Sequence, residues 1–262
     1  MPAALAQALI LAGGRATRLR PYSDHAPKAM VPVAGAPIIC HQLLWLAAHG
    51  VTSVTVSCGY QAERICQYVE DGARFGIVVR YTIEEEPLGR GGGLKFAARQ
   101  LADPDAPFLV LNGDVISTCS LSDLAGYHRG HGEPATVALS PYRSQWGVAD
   151  LDDANRIRGF VQSPELPYWI NAGIYAFDPS VIDLLPDRGD HEDSTFPALA
   201  REGHMVGYRI SGYWRGIDTP KDVLEASREL TKAGRVPAPE FHVPEPEAVE
   251  AGGEEAPDGT GA

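Results

Sequence analysis

Leu9-Ile10-Leu11-Ala12-Gly13-Gly14-Arg15-Ala16-Thr17-Arg18-Leu19-Arg20-Pro21 is the stretch on which the reading of this chain turns. It opens with three apolar residues, enough for part of one buried strand, and breaks at once into small residues. In a parallel sheet covered on both faces, ligands gather at the carboxyl ends of the strands. Glycines there let backbone N–H groups approach a phosphate with no Cβ in the way. Arg18 adds side-chain charge, as does Lys28 in the following Pro27-Lys28-Ala29-Met30-Val31-Pro32-Val33. For the glycine pair alone, a surface turn with incidental basic residues competes with the phosphate reading. Neither G-x-G-x-x-G nor G-x-x-x-x-G-K-[ST] is present, which counts against a dinucleotide-dependent oxidoreductase and a P-loop NTPase.

Outward from that strand, short apolar runs alternate with helical patterns. A helix is predicted from Pro37, with Ile39, Leu43, Leu46 and Ala47 on one face and Gly50 as its stop. Val54-Thr55-Val56 reads as the second strand, and 77–83, 108–111 and 136–139 as further strands. Helices are predicted near 61–70 and 92–101. The expected fold is α/β: a Rossmann-like, mixed, mostly parallel sheet flanked by helices. Beyond Tyr142 the candidate strands 147–149, 157–161 and 174–177 are expected to extend or cap the sheet. The last predicted helix runs from Pro220 to about Lys232.

Residues 1–232 are therefore expected to form one domain. From Ala233 onward Pro, Glu, Gly and Ala dominate, and too little apolar surface remains to offset the entropy of ordering, so 233–262 is expected to be a disordered acidic tail. It carries about half of the formal net charge of −12. At 262 residues, 44% hydrophobic and 21% charged, the chain reads as an ordinary soluble protein, expected in the cytoplasm. The charge balance provides no general footprint for nucleic acid or an anionic membrane, and no apolar run approaches the roughly 18 residues of a span. Cys40, Cys58, Cys66 and Cys119 show no C-x-x-C or zinc-type spacing and read as reduced thiols.

Taken together, Leu11-Ala12-Gly13-Gly14 through Pro21 and the Pro27-Lys28-Ala29-Met30-Val31-Pro32 segment resemble the two-part signature of the sugar nucleotidyltransferases, L-A-G-G-x-G-T-R-L-x-P and P-K-P-M-x-P. The resemblance runs from about Ala8 to Ala226 and is nearest to mannose-1-phosphate guanylyltransferases. Glu84-Glu85-Glu86-Pro87-Leu88-Gly89-Arg90-Gly91-Gly92, Asn112-Gly113-Asp114, Trp146-Gly147-Val148 and Asn171-Ala172-Gly173-Ile174-Tyr175 resemble further segments in the same order. The implied reaction joins a nucleoside triphosphate to a sugar 1-phosphate and releases pyrophosphate, best matched by GTP with mannose- or heptose-1-phosphate.

By the same resemblance, Leu11, Ala12, Gly13, Gly14, Arg15, Thr17, Glu84, Pro87, Gly89, Gly92, Asn112 and Gly113 are expected around the nucleotide. Gly147, Gln162, Asn171, Ala172 and Gly173 are expected around the sugar. Arg18 is assigned to the leaving pyrophosphate, and Lys28 to the α-phosphate and the incoming sugar phosphate. Asp114 and Asp218 are the candidate ligands of Mg²⁺, a hard cation that suits carboxylate oxygen. A plain Asn-Gly-Asp turn and a helix N-cap are the respective alternatives. Homo-oligomerisation is left open.

Several positions depart from the family pattern. Ala16 stands where the second glycine is usual, a cost of roughly 1 kcal/mol if φ must be positive. Gly216 and Asp218 exchange the usual places of aspartate and glycine, as in glucose-1-phosphate cytidylyltransferases. Gln162-Ser163 replaces the glutamate-lysine pair expected on the sugar and its phosphate, and Arg90 is a candidate to supply the missing cation, against a solvated surface arginine. The competing functional readings are a cytidylyl-, thymidylyl- or uridylyltransferase acting on glucose 1-phosphate, and a catalytically degenerate regulatory subunit.

Overall fold

The computed structural model describes residues 5–243 apart from His25. The first half of the chain builds β1 (Gln7–Ala12), β2 (Pro32–Val33), β3 (Ala36–Pro37), α1 (Ile38–Ala48), β4 (Ser53–Cys58), α2 (Ala62–Val69), β5 (Val78–Ile83), α3 (Gly89–Ala98), β6 (Phe108–Asn112), β7 (Val115–Ser117) and α4 (Leu121–His131). The second half adds β8 (Ala135–Arg143), β9 (Gly147–Leu151), β10 (Ile157–Gln162), β11 (Glu165–Phe177), α5 (Ser180–Leu184), α6 (Thr195–Glu202), β12 (Met205–Arg209), β13 (Trp214–Gly216) and α7 (Pro220–Lys232).

Seven strands form one sheet in the order β12, β8, β11, β6, β1, β4, β5. Strands β6, β1, β4 and β5 are parallel neighbours, β11 runs antiparallel between β6 and β8, and β12 is parallel to β8. The expected mixed, mostly parallel α/β sheet is present. Strand periodicity explains its two cores. Ala8 and Ile10 of β1 and Leu109 and Leu111 of β6 point to the side covered by α1, α2 and α4. Leu9, Phe108 and Val110 point to the side covered by α3, α5 and α6, against Leu94, Val181 and Leu199. Both faces being buried, these strands read as near-continuous apolar runs.

A third cluster fixes the loops that matter most. Leu19, Val31, Ile116 and Ile217 pack with Val223 and Leu230 of α7, all almost fully buried. Each such side chain contributes about 1.5–3 kcal/mol by leaving water. Because Leu19 adjoins Arg18 and Ile217 adjoins Asp218, the same burial anchors the charged residues beside them.

Among the departures from expectation, three bear on the site or on the domain bounds. Helix α3 begins at Gly89, three residues before the predicted start. Its first turn is Gly-Arg-Gly-Gly-Gly, poor helix-forming sequence, but close approach requires it. A Cβ on Gly91 would lie 2.9 Å from the Gly189 carbonyl oxygen, and one on Gly92 2.6 Å from that of Asp187. The N–H groups of Gly91 and Gly92 both donate to Gly189 O. Second, β9 and β10 do not extend the sheet but pair only with each other as an antiparallel ribbon with largely exposed side chains.

Third, 233–243 is not free of the body. The Phe241 ring stacks on Phe75 at 5.2 Å, the Phe241 carbonyl accepts from Tyr68 OH, and Val243 N–H donates to Gly35 O at 2.9 Å. Apolar Phe241 and Val243 supply the burial that the surrounding Pro and Glu lack. The rest of the expected tail, 244–262, lies outside the described residues. All four cysteines are free thiols. No helix among the described residues is long and apolar enough to cross a membrane.

Candidate active site

The carboxyl ends of β1, β4 and β6 open into a cleft of about 440 Å³, a size suited to a small-molecule ligand. Its floor is Leu11 to Gly14, where β1 ends. The N-terminal turn of α3 forms one wall, with Ser57, Glu84 and Pro87. Glu84 shapes that wall: one carboxylate oxygen accepts from Ser57 Oγ at 3.2 Å and the other from Leu88 N–H at 3.0 Å. A Cβ on Gly113 would run into the Leu11 carbonyl, so the Asn112-Gly113-Asp114 turn lies against the floor because the residue is glycine.

Asp114 and Asp218, 104 positions apart in the sequence numbering, meet through a short ladder. Strand β7 follows Asp114 and pairs antiparallel with β13, which precedes Asp218; Val115 faces Gly216 and Ile217 N–H donates to Asp114 O at 2.8 Å. Arg215 ties this ladder to α7 through Asp222, Glu225 and Glu229. The α7 N-cap is Thr219, in a reciprocal capping box with Asp222. Asp218 does not cap the helix, and its side chain turns into the cleft.

There the charges form a chain. Lys28 Nζ lies 2.6 Å from Asp114 Oδ2 and 2.7 Å from Asp218 Oδ1, and Arg18 Nη2 lies 3.1 Å from Asp218 Oδ1. Burial acts to raise the Asp218 pKa, but the hydrogen bond and charge of Lys28, with Arg18, outweigh it and hold the carboxyl below its ordinary value. Lys28 is the least exposed member at 15%, with Pro27 opening the short turn that carries it and its N–H reaching Gly14 O. Ala16 adopts the left-handed conformation, φ 51° and ψ 41°, immediately before the turn that presents Arg18.

Of the residues expected at the nucleotide, Leu11, Ala12, Gly13, Gly14, Thr17, Glu84, Pro87, Gly89, Asn112 and Gly113 line the cleft with Arg18, Lys28, Asp114 and Asp218. Arg15 and Gly92 do not: Arg15 lies over the Tyr60 ring at 5.4 Å, and Gly92 packs against the 186–191 loop. The sugar candidates sit outside this cleft in two groups. Gly147 and Gln162 are partners across the exposed ribbon. Asn171, Ala172 and Gly173 form an irregular step in β11, where a Cβ on Gly173 would lie 2.8 Å from Asn112 Nδ2. Ser57, Gly93 and Asp190 line the cleft without having been singled out in the sequence. For Ser57 the available signal was its place at the end of a parallel strand; for Asp190 there was none.

Comparison with known proteins places the chain. The sequence model of the family described as Nucleotidyl transferase matches residues 7–233. The chain belongs to this family. As a nucleotidyl transferase it is 39% identical over 240 residues to the mannose-1-phosphate guanyltransferase of Neurospora crassa and 36% identical to the mannose-1-phosphate guanylyltransferase of Mycobacterium tuberculosis. Those alignments cover 87% and 88% of this chain, which spans 66% of the length of each relative. Among solved structures of nucleotidyl transferase fold, HddC from Yersinia pseudotuberculosis complexed with GMP-PN is 27% identical, with a TM-score of 0.66 over 86% of this chain and 99% of that one. A putative glucose-1-phosphate thymidylyltransferase from Bacillus anthracis shares the fold at a TM-score of 0.69 and 21% identity, covering 88% of this chain and 96% of that one.

Proposed function

We propose that this chain transfers a nucleotidyl group from a nucleoside triphosphate to a sugar 1-phosphate, releasing pyrophosphate, with GTP and a manno-configured sugar 1-phosphate as the pair. The observation that carries the reading is the chain Arg18, Asp218, Lys28, Asp114 at the mouth of a glycine-floored cleft. The meeting of these four charges in one constellation favours an active enzyme over a binding subunit that has lost turnover. The guanosine and mannose assignments draw on the printed names of the relatives and on the GMP-PN bound by the 27% identical structure.

An oxygen of the sugar phosphate must attack the α-phosphorus while pyrophosphate leaves in line, so the protein has to hold two polyanions together. Backbone N–H groups of the Gly13-Gly14 loop take the nucleotide phosphates. Arg18 neutralises the leaving pyrophosphate, and Lys28 bridges the α-phosphate and the entering phosphate. Both cations must exchange carboxylate for phosphate as substrate arrives. That exchange leaves Asp114 and Asp218 facing each other.

The donor set suits Mg²⁺. Two carboxylates converge on one cationic centre, and the cleft is lined by four acids, Glu84, Asp114, Asp190 and Asp218, against three cations, Arg18, Lys28 and Arg90. A site with that balance needs added positive charge to accept polyanions. Among the described residues no cluster of three or more potential ligands occurs, which fits a cation held by one or two carboxylates with phosphate and water completing its shell. When bound by Asp114 and Asp218, Mg²⁺ supplies charge stabilisation to the transferring and leaving phosphates.

Pyrophosphate release by the purified chain with Mg²⁺, across five nucleoside triphosphates and several sugar 1-phosphates, tests the reading. Turnover confined to GTP with a manno-configured sugar supports it in full. Turnover with another pair overturns the substrate assignment and keeps the reaction, and silence in every combination overturns both.

A further inference from the structure

Arg90 stands at the second residue of α3, and its guanidinium is forked between two carboxylates. Nη2 lies 2.7 Å from Asp190 Oδ2, and Nη1 lies 2.5 Å from Glu192 Oε2. The Arg90 backbone N–H donates to the other Asp190 oxygen at 2.8 Å. Arg90's hydrogen bonds hold the Asp190 carboxyl below its ordinary pKa, so this pairing persists at neutral pH. Glu192 in turn accepts, through Oε1, from Asn171 Nδ2 at 2.9 Å and Tyr175 OH at 3.1 Å. Asn171 Nδ2 also reaches Tyr175 OH at 2.9 Å, and Asn171 Oδ1 accepts from Gly173 N–H at 2.9 Å. Tyr175 is fully buried, its ring wedged among Phe177, His191 and Phe196. The exposed Asn171 amide is thereby locked in one orientation on the β11 step that abuts Asn112, itself one of the residues lining the cleft.

We propose that Arg90 is a positioning residue for sugar recognition: through Glu192 it fixes the Asn171 amide, whose two N–H groups are already used and whose Oδ1 keeps one lone pair to accept from a hydroxyl of the sugar 1-phosphate. The inference rests on the transfer reaction proposed above and adds residues to it. It replaces the expectation that Arg90 supplies the phosphate-binding cation absent at Ser163. Both edges of the guanidinium are already filled. The group around it, one cation with two carboxylates, carries a net negative charge that repels phosphate. A phosphate would also have to displace Asp190, which the α3 backbone holds in place.

Steady-state kinetics of pyrophosphate release with the full chain separate positioning from direct phosphate binding. Arg90→Ala should raise KM for the sugar 1-phosphate roughly tenfold, less than the ~100-fold cost of misplacing a reacting group by a full ångström. KM for the nucleotide should stay within about twofold, a split that general loss of structure does not produce. Arg90→Lys should recover only part of the loss, because an ammonium does not fork. Glu192→Gln should act in the same direction, and the double variant Arg90→Ala with Glu192→Gln should be little worse than either single one, as expected of residues acting in series. Asp190→Asn, whose amide oxygen can still accept from the Arg90 N–H, decides between the two roles. Looser anchoring of Arg90 should raise KM for the sugar 1-phosphate, whereas an arginine freed to grip phosphate would lower it and overturn the proposal. Equal change in both KM values with a fall in melting temperature also overturns it, in favour of a purely structural clamp. A wild-type chain silent with every substrate pair overturns the reaction reading, and this proposal falls with it; a wild type that turns over while the variants keep its KM values overturns this proposal alone.

Discussion

Replacing Ala16 by glycine should stabilise the chain and leave its chemistry unchanged. Ala16 sits at φ 51° and ψ 41°, a left-handed conformation that costs an L-residue about 1–2 kcal/mol through its Cβ. Glycine removes that cost but loses roughly 0.5–1 kcal/mol more backbone entropy on folding. The half-buried Ala16 methyl also touches the cluster around Leu19 and Val31, so its loss costs a few tenths of a kcal/mol, about half of one buried methylene. The Ala16 carbonyl keeps both its hydrogen bonds, from Leu19 N–H and Ser23 Oγ, because neither uses the side chain. The balance is a net gain of about 0.5 kcal/mol, or about 1–2 °C in melting temperature for a domain of this size. Urea denaturation should show a higher midpoint at unchanged slope, and pyrophosphate release should keep its rate and KM values. Ala16→Val should move the midpoint the opposite way, since a β-branched side chain fits this region worse. A lower midpoint for Ala16→Gly, or equal midpoints for the glycine and valine variants, would refute the assignment of left-handed strain to this loop.

Lys28→Ala and Asp114→Asn should each reduce turnover at least ~100-fold in the pyrophosphate-release assay, the scale of losing one electrostatic partner in a transition state. Rates near wild type would remove them from the chemistry. Thr219→Ala should cost about 1 kcal/mol of stability through the lost α7 cap, while Asp218→Asn should spare the cap and lower turnover; thermal melts and rates measured on both variants check that division. Burial holds His41, His128 and His191 below the ordinary histidine value of 6.5. The unfolded chain therefore takes up their protons first as pH falls, so the stability they confer is fully present above about pH 6.5 and is lost below it, at up to about 1.4 kcal/mol per pH unit for each. Melting temperature should drop by several degrees between pH 7 and pH 5.5, and a flat profile would contradict the burial argument.

Much of the parallel half of the fold was legible because its strands are buried on both faces and read as short apolar runs, with helical patterns between them. Leu9 to Leu11, Val54 to Val56 and 108–111 each fall inside an observed strand, and α7 matches its predicted span. Helix α4 went unread although Ser120 caps it through Asp123 N–H, because Gly126 and Gly130 and the two histidines blur its apolar stripe. The ribbon β9 and β10 was read as strand correctly, but sheet membership depends on partners that local pattern does not carry. At the site, motif residues at the ends of β1 and β6 line one cleft. The pairing of Lys28 with both aspartates, and of Arg90 with Asp190 and Glu192, was not legible, since contacts between residues 86 to 190 positions apart are set by topology. The Asp218 alternatives were separated only by seeing Thr219 occupy the cap.

The glycine-built start of α3 has a consequence for how the chain comes into being. Glycine weakens a helix by about 1 kcal/mol relative to alanine at each position, so this turn has little tendency to form by itself. Its anchor, Gly189, is translated about a hundred residues later. At roughly 5–20 residues per second, a ribosome needs some 5–20 s to deliver it. Throughout that interval the emerging polypeptide already displays the Gly13-Gly14 loop and Lys28, and for most of it Asp114 as well, yet its cleft lacks a wall. Completion of the cleft is thus a late event in biosynthesis, arriving only when the 186–191 loop packs on the helix.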